Sequence, residues 1–443
     1  MENNIYCIGI GGIGMSALAQ YFKHNGTMVS GSDRDASRVT ELLESKGIAV
    51  FIGHRAENVP IDASEVVYSD AVPESSPERV RAKELGIPQL SYFEMLGKVS
   101  EGKKTIAVAG THGKTTTTGM LARILRDAGA EPTAIVGSIV KDFDSNFLSG
   151  TSDLFVVEAC EYRDHLLELS PQLLVLTNVE WDHTDYFPSL EALQETFKKA
   201  IEKVPTDGAI VTDPSNENIA PLLKAARARI IDYTQEPSRE IRLFGEFNQN
   251  NARAAAAAAR IAFPSISDST IAESLASFHG TWRRFEYKGK TKNGAEVYDD
   301  YAHHPTAVRV TMKALRAKVS AHSTSSGQGK IIVAFHPHLY SRTRDLLDDF
   351  ATAFADADEV LVAPIFAARE VDDGTISSAI LADRIRAHGT KASAPESFAD
   401  IERLLNEVEQ DGTIMTMGAG DIYKVADALA QHQNSFGAGL VQK

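Results

Sequence analysis

Cysteine is almost absent from this chain: of 443 residues only Cys7 and Cys160 are cysteines, and both lie in apolar, strand-like runs. Two such residues read as buried thiols rather than a disulfide, which fits a reducing cytosol and a cytoplasmic location. Long apolar runs are missing too. None approaches the roughly 20 residues a membrane helix needs. Met1-Glu-Asn-Asn has no basic segment ahead of its apolar stretch, so no signal peptide is expected. Positive charge is in deficit, with 45 Lys and Arg against 60 Asp and Glu and a formal charge of −15. That balance argues against nucleic acid as a general partner, because phosphate backbones demand a basic face. It leaves small anionic ligands open, since these need only a local pocket.

What is present is a soluble, globular composition on a chain too long for one hydrophobic core, so two to four domains are expected. Short apolar runs alternate with helical patterns almost throughout, which implies an α/β architecture around mostly parallel sheets. Strands are predicted at 5–10, 27–30 and 66–69, then at 105–109, 154–157, 173–177 and 209–212, and finally at 296–299, 330–335, 359–363 and 413–417. A helix is predicted over 15–24 and an alanine-rich one over 251–262. Lys98 to Lys104 reads as a polar linker, and Ala321 to Gly329 as a flexible surface loop without chemistry. No internal repeats are visible.

The most informative segment is Thr105 to Thr118. A β-branched and apolar run breaks at Gly110, turns through Thr111, His112 and Gly113, and re-enters a helical pattern after Lys114. Strand, glycine turn, lysine, hydroxyl and helix together suit a triphosphate. Turn N–H groups and the helix N-terminus face the anion, Lys114 supplies a point charge, and the Thr115 hydroxyl can hold Mg²⁺. Val108 stands where the usual P-loop has its first glycine, so the loop is a shortened variant.

Three further groups carry chemistry. Gly9-Ile-Gly11-Gly12-Ile13-Gly14 follows a strand and opens a helix, with Asp33 nineteen residues beyond Gly14. That spacing suits a diphosphate against the glycines and a ribose hydroxyl at the acid. Glu158 and His183 follow buried strands, where ligand crevices open in parallel sheets, and suit Mg²⁺ beside a triphosphate. Asp299 to Pro305, with His303 and His304, and His336 to Arg344, with His338 and Arg342, mix imidazole and guanidinium groups after strands. Their spacing fits no standard zinc site; anchoring of an anionic substrate is the better reading, since a forked Arg matches a carboxylate.

These segments, in this order and over nearly the whole chain, resemble the Mur ligases, ATP-dependent amide-forming enzymes of peptidoglycan assembly. The resemblance rests on 9–16, 30–33, 109–117, 178–183, 283–285, 299–306, 337–343 and 418–421. It implies three domains: a Rossmann-like N-terminal domain (1–102) for the UDP-sugar, a central P-loop ATPase-type α/β domain (103–285), and a Rossmann-like C-terminal domain (286–443) that closes over the nucleotide and admits the amino acid. By the same resemblance, ATP falls to Gly110, Thr111, His112, Gly113, Lys114, Thr115, Thr116, Asn248, Asn251 and Arg284. Mg²⁺ falls to Thr115, Glu158 and His183. The UDP-N-acetylmuramic acid and amino-acid side falls to Gly11, Gly12, Ile13, Gly14, Asp33, Ser69, His303 and His304. Lys114, Glu158, His183, His338 and Arg342 form the implied catalytic set.

The alanine-adding branch fits best, because Phe197 stands where sister ligases carry a modified lysine. The adenine-side motif departs from the family in having Phe247 where histidine is usual, with Asn248 and Asn251 kept. That branch implies L-alanine as co-substrate, an acyl phosphate between carboxylate and amide, no nucleic-acid or membrane partner, and a monomer or weak homodimer. The nearest rival is a ligase adding a recycled tripeptide to the same nucleotide sugar, disfavoured by Pro337-His-Leu-Tyr-Ser-Arg-Thr343. A nicotinamide-dependent oxidoreductase would leave Lys114, Glu158 and His183 without a purpose.

Overall fold

The computed structural model describes residues 4–322 and 329–430 and builds them around three sheets. The first holds β1 (Asn4–Ile8), β2 (Met28–Asp33), β3 (Ala49–Ile52), β4 (Glu65–Tyr68) and β5 (Gln89–Ser91), all parallel, in the order β3-β2-β1-β4-β5. β1 is buried along its whole length, as a central parallel strand covered on both faces must be. Chain order reverses between β1 and β4, so a crevice opens at the carboxyl end of β1, where the glycine loop begins.

The second sheet holds β6 (Lys104–Ala109), β7 (Thr133–Val140), β8 (Ser145–Leu148), β9 (Leu154–Glu158), β10 (Leu173–Leu176), β11 (Ala209–Thr212) and β12 (Arg229–Asp232). Their order is β12-β11-β10-β6-β9-β7-β8, with only the β7/β8 hairpin antiparallel. β6 therefore lies between β10 and β9, and its phosphate loop is flanked by the carboxyl ends of both.

The third sheet holds β13 (Glu286–Lys290), β14 (Glu296–Asp300), β15 (Ile331–Phe335), β16 (Glu359–Val362), β17 (Lys391–Ser393) and β18 (Thr413–Met417). Here the order is β13-β14-β18-β15-β16-β17, with β13 antiparallel to β14. Two apolar clusters, one around Phe335 and Phe350 and one around Ile414 and Ile422, form its core. The chain divides into two compact units. One comprises 1–180, 190–242 and 249–281 and carries the first two sheets; the other comprises 181–189, 243–248 and 282–443 and carries the third.

All eleven predicted strands are present, with ends moved by up to three residues, and the alanine-rich helix begins earlier, at Glu246. The predicted polar linker is shorter than Lys98 to Lys104. Lys98 to Ser100 complete the helix Tyr92–Ser100, whose start is closed by a Ser91/Glu94 capping box, and Lys104 already belongs to β6. Residues 323–328 of the predicted surface loop lie outside the described residues. Both cysteines are free thiols; Cys7 is fully buried and Cys160 partly so.

Candidate active site

The phosphate loop forms because two glycines permit backbone that other residues resist. Gly110 has φ +123° and Gly113 has φ +83°, a region that L-residues rarely adopt. A Cβ at Gly110 would lie 2.2 Å from Thr177 Oγ1, and one at Gly113 would lie 2.3 Å from Asn251 Oδ1. Residues after β10 brace the turn. The Thr111 and His112 N–H groups donate to the backbone and side-chain oxygens of Asn178 (3.0 and 2.9 Å), and Thr177 donates to the His112 carbonyl (2.6 Å). Lys114 then opens the helix Lys114–Asp127, in which Thr115 and Thr116 are buried.

The Lys114 ammonium donates to the Gly110 and Thr111 carbonyls (2.6 and 3.1 Å) and to both oxygens of Glu161 (3.0 and 2.9 Å). Burial alone would lower its pKa; the adjacent Glu161 charge outweighs burial and raises it, so the lysine is a full cation. Glu161 was not singled out from sequence, although it lies only three residues past Glu158 at the exit of β9. Glu158 is fixed from two sides. The Gly137 N–H donates to one carboxylate oxygen (2.9 Å) and the Thr115 hydroxyl to the other (3.2 Å). A hydroxyl and a carboxylate held together in this way are hard oxygen donors of the kind Mg²⁺ takes.

The glycine loop of the same unit gathers its predicted residues around the end of β1. The Ser32 carbonyl accepts from the Gly9 and Ile10 N–H groups (2.8 and 2.9 Å), and the Ser69 N–H donates to the Ile8 carbonyl (3.0 Å). Asp33 accepts the Gly11 N–H at 2.8 Å, so one of its carboxylate oxygens shapes the loop itself. Gly12 precedes the helix Ile13–His24, and Gly14 lies where a Cβ would fall 2.6 Å from the Tyr92 ring.

The second unit holds the other predicted residues. Its centre is a buried ion pair missed from sequence on the carboxylate side: Arg342 Nε donates to Asp182 Oδ1 at 2.8 Å, with the two side chains 2% and 5% exposed. Burial opposes the Asp182 charge, but the Arg342 guanidinium beside it holds this carboxyl well below the usual range. Arg342 also donates to His338 Nδ1 (3.1 Å). Burial first, and Arg342 second, push His338 down to about 3 and hold His303 well below its ordinary value, so both imidazoles are neutral.

The His303 ring meets the Tyr301 carbonyl at 2.9 Å through Nδ1. His304 accepts the Thr306 N–H at Nδ1 (3.3 Å), which leaves Nε2 to donate to the Trp181 carbonyl (3.1 Å). His183 sits at φ +53°, a strained value for a non-glycine residue. Arg284 lies over the Tyr301 ring, whereas its neighbour Arg283 is buried on Asp299 and the Gly418 and Gly420 carbonyls. Asn248 donates to the Phe244 carbonyl, and Phe247 packs on the core of this unit, with Gly245 leaving room for its ring. Asn248 and Asn251 share one helix but belong to different units. Phe197 is fully buried and Lys198 beside it pairs with Glu195 on the surface.

Known proteins match this sequence over nearly the whole chain. Three family profiles match in succession: Mur ligase family, catalytic domain, over residues 4–104; Mur ligase middle domain over 108–241; and Mur ligase, glutamate ligase domain, over 283–420. The UDP-N-acetylmuramate–L-alanine ligase of Clostridium botulinum (strain Langeland) is 39% identical, covering 96% of this chain and 97% of the relative. The enzyme of the same name from Clostridium novyi (strain NT) is 37% identical over the same shares. Among solved structures, the UDP-N-acetylmuramate-alanine ligase MurC of Thermotoga maritima superposes with a TM-score of 0.78 at 28% identity, covering 97% of this chain and 98% of that one. A murein peptide ligase of Psychrobacter arcticus shares the fold at a TM-score of 0.73 and 24% identity, over 97% of this chain and 98% of its own. With its three domains in the same order and this likeness over nearly its full length, the chain belongs to the Mur ligase family.

Proposed function

We propose that this chain is an ATP-dependent ligase that joins L-alanine to the lactyl carboxylate of UDP-N-acetylmuramic acid, releasing ADP and phosphate, in the synthesis of peptidoglycan precursors. The observation that carries the ligase chemistry is the wiring of the phosphate loop, Lys114 to Glu161 and Thr115 to Glu158. The alanine assignment is supported by relatives of that name matching over 97% of their length. We take the domain boundaries at 1–102, 103–285 and 286–443, and the enzyme as cytoplasmic. Among the described residues no helix is long and apolar enough to cross a membrane.

A carboxylate is a poor electrophile because attack on it must expel oxide. Phosphorylation converts that oxygen into a good leaving group, and the resulting acyl phosphate is open to the amine of L-alanine. The protein's contribution is therefore positioning and charge neutralisation. Lys114 exchanges Glu161 for phosphate oxygens while keeping its two main-chain carbonyl partners. The first N–H groups of the helix Lys114–Asp127 face the same anion. Thr115 and Glu158 would hold Mg²⁺, and the ion would screen charge during phosphoryl transfer. The glycine loop at 9–14 takes the diphosphate of the UDP-sugar. In the second unit Arg342, His338, His303 and His304 form the anchoring set for the amino-acid side, with the neutral His303 and His338 imidazoles able to accept or donate without adding charge.

The test is phosphate release from Mg-ATP and UDP-N-acetylmuramic acid with L-alanine, with the L-Ala-γ-D-Glu-diaminopimelate tripeptide, or with no acceptor. Release that depends on L-alanine, with the amide product found by mass, is the expected result. Release with the tripeptide alone would reassign the chain to the recycling ligases.

A further inference from the structure

A cavity of about 490 Å³ opens in the first unit, at the end of the helix Ile13–His24 remote from its glycine loop. The turn at 46–48 and the β7/β8 hairpin close its other sides. Its lining includes Lys23, Lys46, Arg126, Phe143 and Phe147, with Gln20 and Ser145 as buried polar side chains. Lys23 donates to the Gly47 carbonyl at 2.7 Å and, like Lys46, makes no ion pair among the described residues. The acid on this wall, Asp142, is already paired with Arg123 (2.6 Å) and hydrogen-bonded to the His279 ring (2.8 Å). Arg126 lies over the Phe143 ring with its guanidinium carbon 4.8 Å from the centroid. Arg126 is itself paired with Asp127 (3.3 Å), so the uncompensated positive charge is that of Lys23 and Lys46, beside the Phe147 ring, the complement of an anionic group carried on a ring.

A buried polar chain runs from this cavity to the glycine loop. Ser145 donates to Gln20 Oε1 (2.9 Å), Gln20 Nε2 donates to Asn146 Oδ1 (2.9 Å), and Asn146 Nδ2 donates to Ser16 Oγ (2.9 Å) and to the Ile13 carbonyl. Ser16 returns to that same carbonyl at 2.9 Å. All four side chains are at most 5% exposed. In such a chain no member can rotate without leaving a buried polar atom unsatisfied, so a change at Gln20 is passed on or resisted as a unit.

We propose that this cavity is an effector site for a small phosphorylated ring compound, and that the Gln20–Asn146–Ser16 chain couples its occupancy to the loop that takes the UDP-sugar. The fluorescent probe 4-methylumbelliferyl phosphate tests the site. Titrated into the full-length protein without substrates, it should bind saturably, and Lys23→Glu and Lys46→Glu should each weaken it by about tenfold or more. Binding should persist when ADP and UDP-N-acetylmuramic acid are saturating. Probe at saturation should shift the affinity for the UDP-sugar by about fivefold, and Asn146→Ala should remove that shift while keeping probe binding. Absent or non-saturable binding, lysine variants that bind as the parent does, or displacement by the active-site ligands would overturn the site. An unshifted UDP-sugar affinity with the probe bound would overturn the coupling. The first titration uses no substrate, so its outcome is independent of the ligase assignment.

Discussion

Two buried ion pairs, one in each compact unit, differ in what surrounds the cation. Lys114 is a point charge that keeps two main-chain carbonyls besides Glu161, and its side chain is 14% exposed beside a glycine turn. Arg342 is a planar fork, 2% exposed, shared between Asp182 and His338. The first cation can trade its carboxylate for another anion without being left uncompensated, although Glu161 is itself buried. In the second pair the cation is sealed as well, so loss of either partner strands a buried charge. A lysine poised for exchange suits phosphate handling, and an arginine locked on Asp182 and His338 aligns the side chains beside it.

The largest effect is expected at Lys114. Lys114→Ala should lower kcat by about 10³-fold while leaving affinity for UDP-N-acetylmuramic acid within a few-fold, since it removes charge stabilisation and not the sugar site. Steady-state kinetics and a direct binding titration measure the two, and retained turnover would contradict the phosphate-site assignment. At the sealed pair, Asp182→Asn should cost about 3–5 kcal/mol of stability. Removing Arg342 as well, as Asp182→Asn with Arg342→Met, should recover part of it. Urea denaturation decides this, and a single variant costing under about 1 kcal/mol would show that the pair is not sealed.

A milder perturbation is Gly113→Ala, which forces an L-residue to φ +83° against Asn251. Strain of about 1–3 kcal/mol should appear mainly as weaker ATP binding, roughly tenfold, with the UDP-sugar unaffected. The smallest effect is on pH dependence in the second unit. Burial, reinforced by Arg283, depresses His336 to about 4. From pH 6.5 downward the unfolded chain gains a proton that the folded chain refuses, so stability falls by at most about 1.4 kcal/mol per pH unit until pH reaches the folded value. His336→Asn should flatten that acid limb relative to the parent when urea midpoints are compared at pH 7 and pH 5.

The strands legible in the sequence and those that were not divide by position. The eleven read correctly are all interior strands, whose two covered faces demand continuous apolar runs such as Val156-Val157 and Ile332-Val333. All six edge strands were missed: β3, β5, β8, β12, β13 and β17 are short or polar, as β13 with Glu-Tyr-Lys-Gly-Lys illustrates. β7 was missed for another reason. Gly137 interrupts its run because the Glu158 carboxylate lies where a Cβ would stand. Of the site, Lys114, Thr115 and Glu158 were legible because a phosphate loop is local in sequence. Glu161 and Asp182 were visible as residues, but their roles depend on partners 47 and 160 positions away.

The alternation of strand and helix, the phosphate turn and the glycine loop follow from residue order, because each is set by neighbours a few residues apart. That Lys114 rests on Glu161, that Asp33 braces Gly11, and that Arg342 is sealed by Asp182 depends on the folded chain. It alone placed Gln20 against Asn146 beneath a basic cavity. Those pairings are fixed by which strands lie side by side and how deeply each charge is buried. Burial then sets what a charge does: the same carboxylate is a solvated surface group in water and a fixed counter-ion where water is excluded.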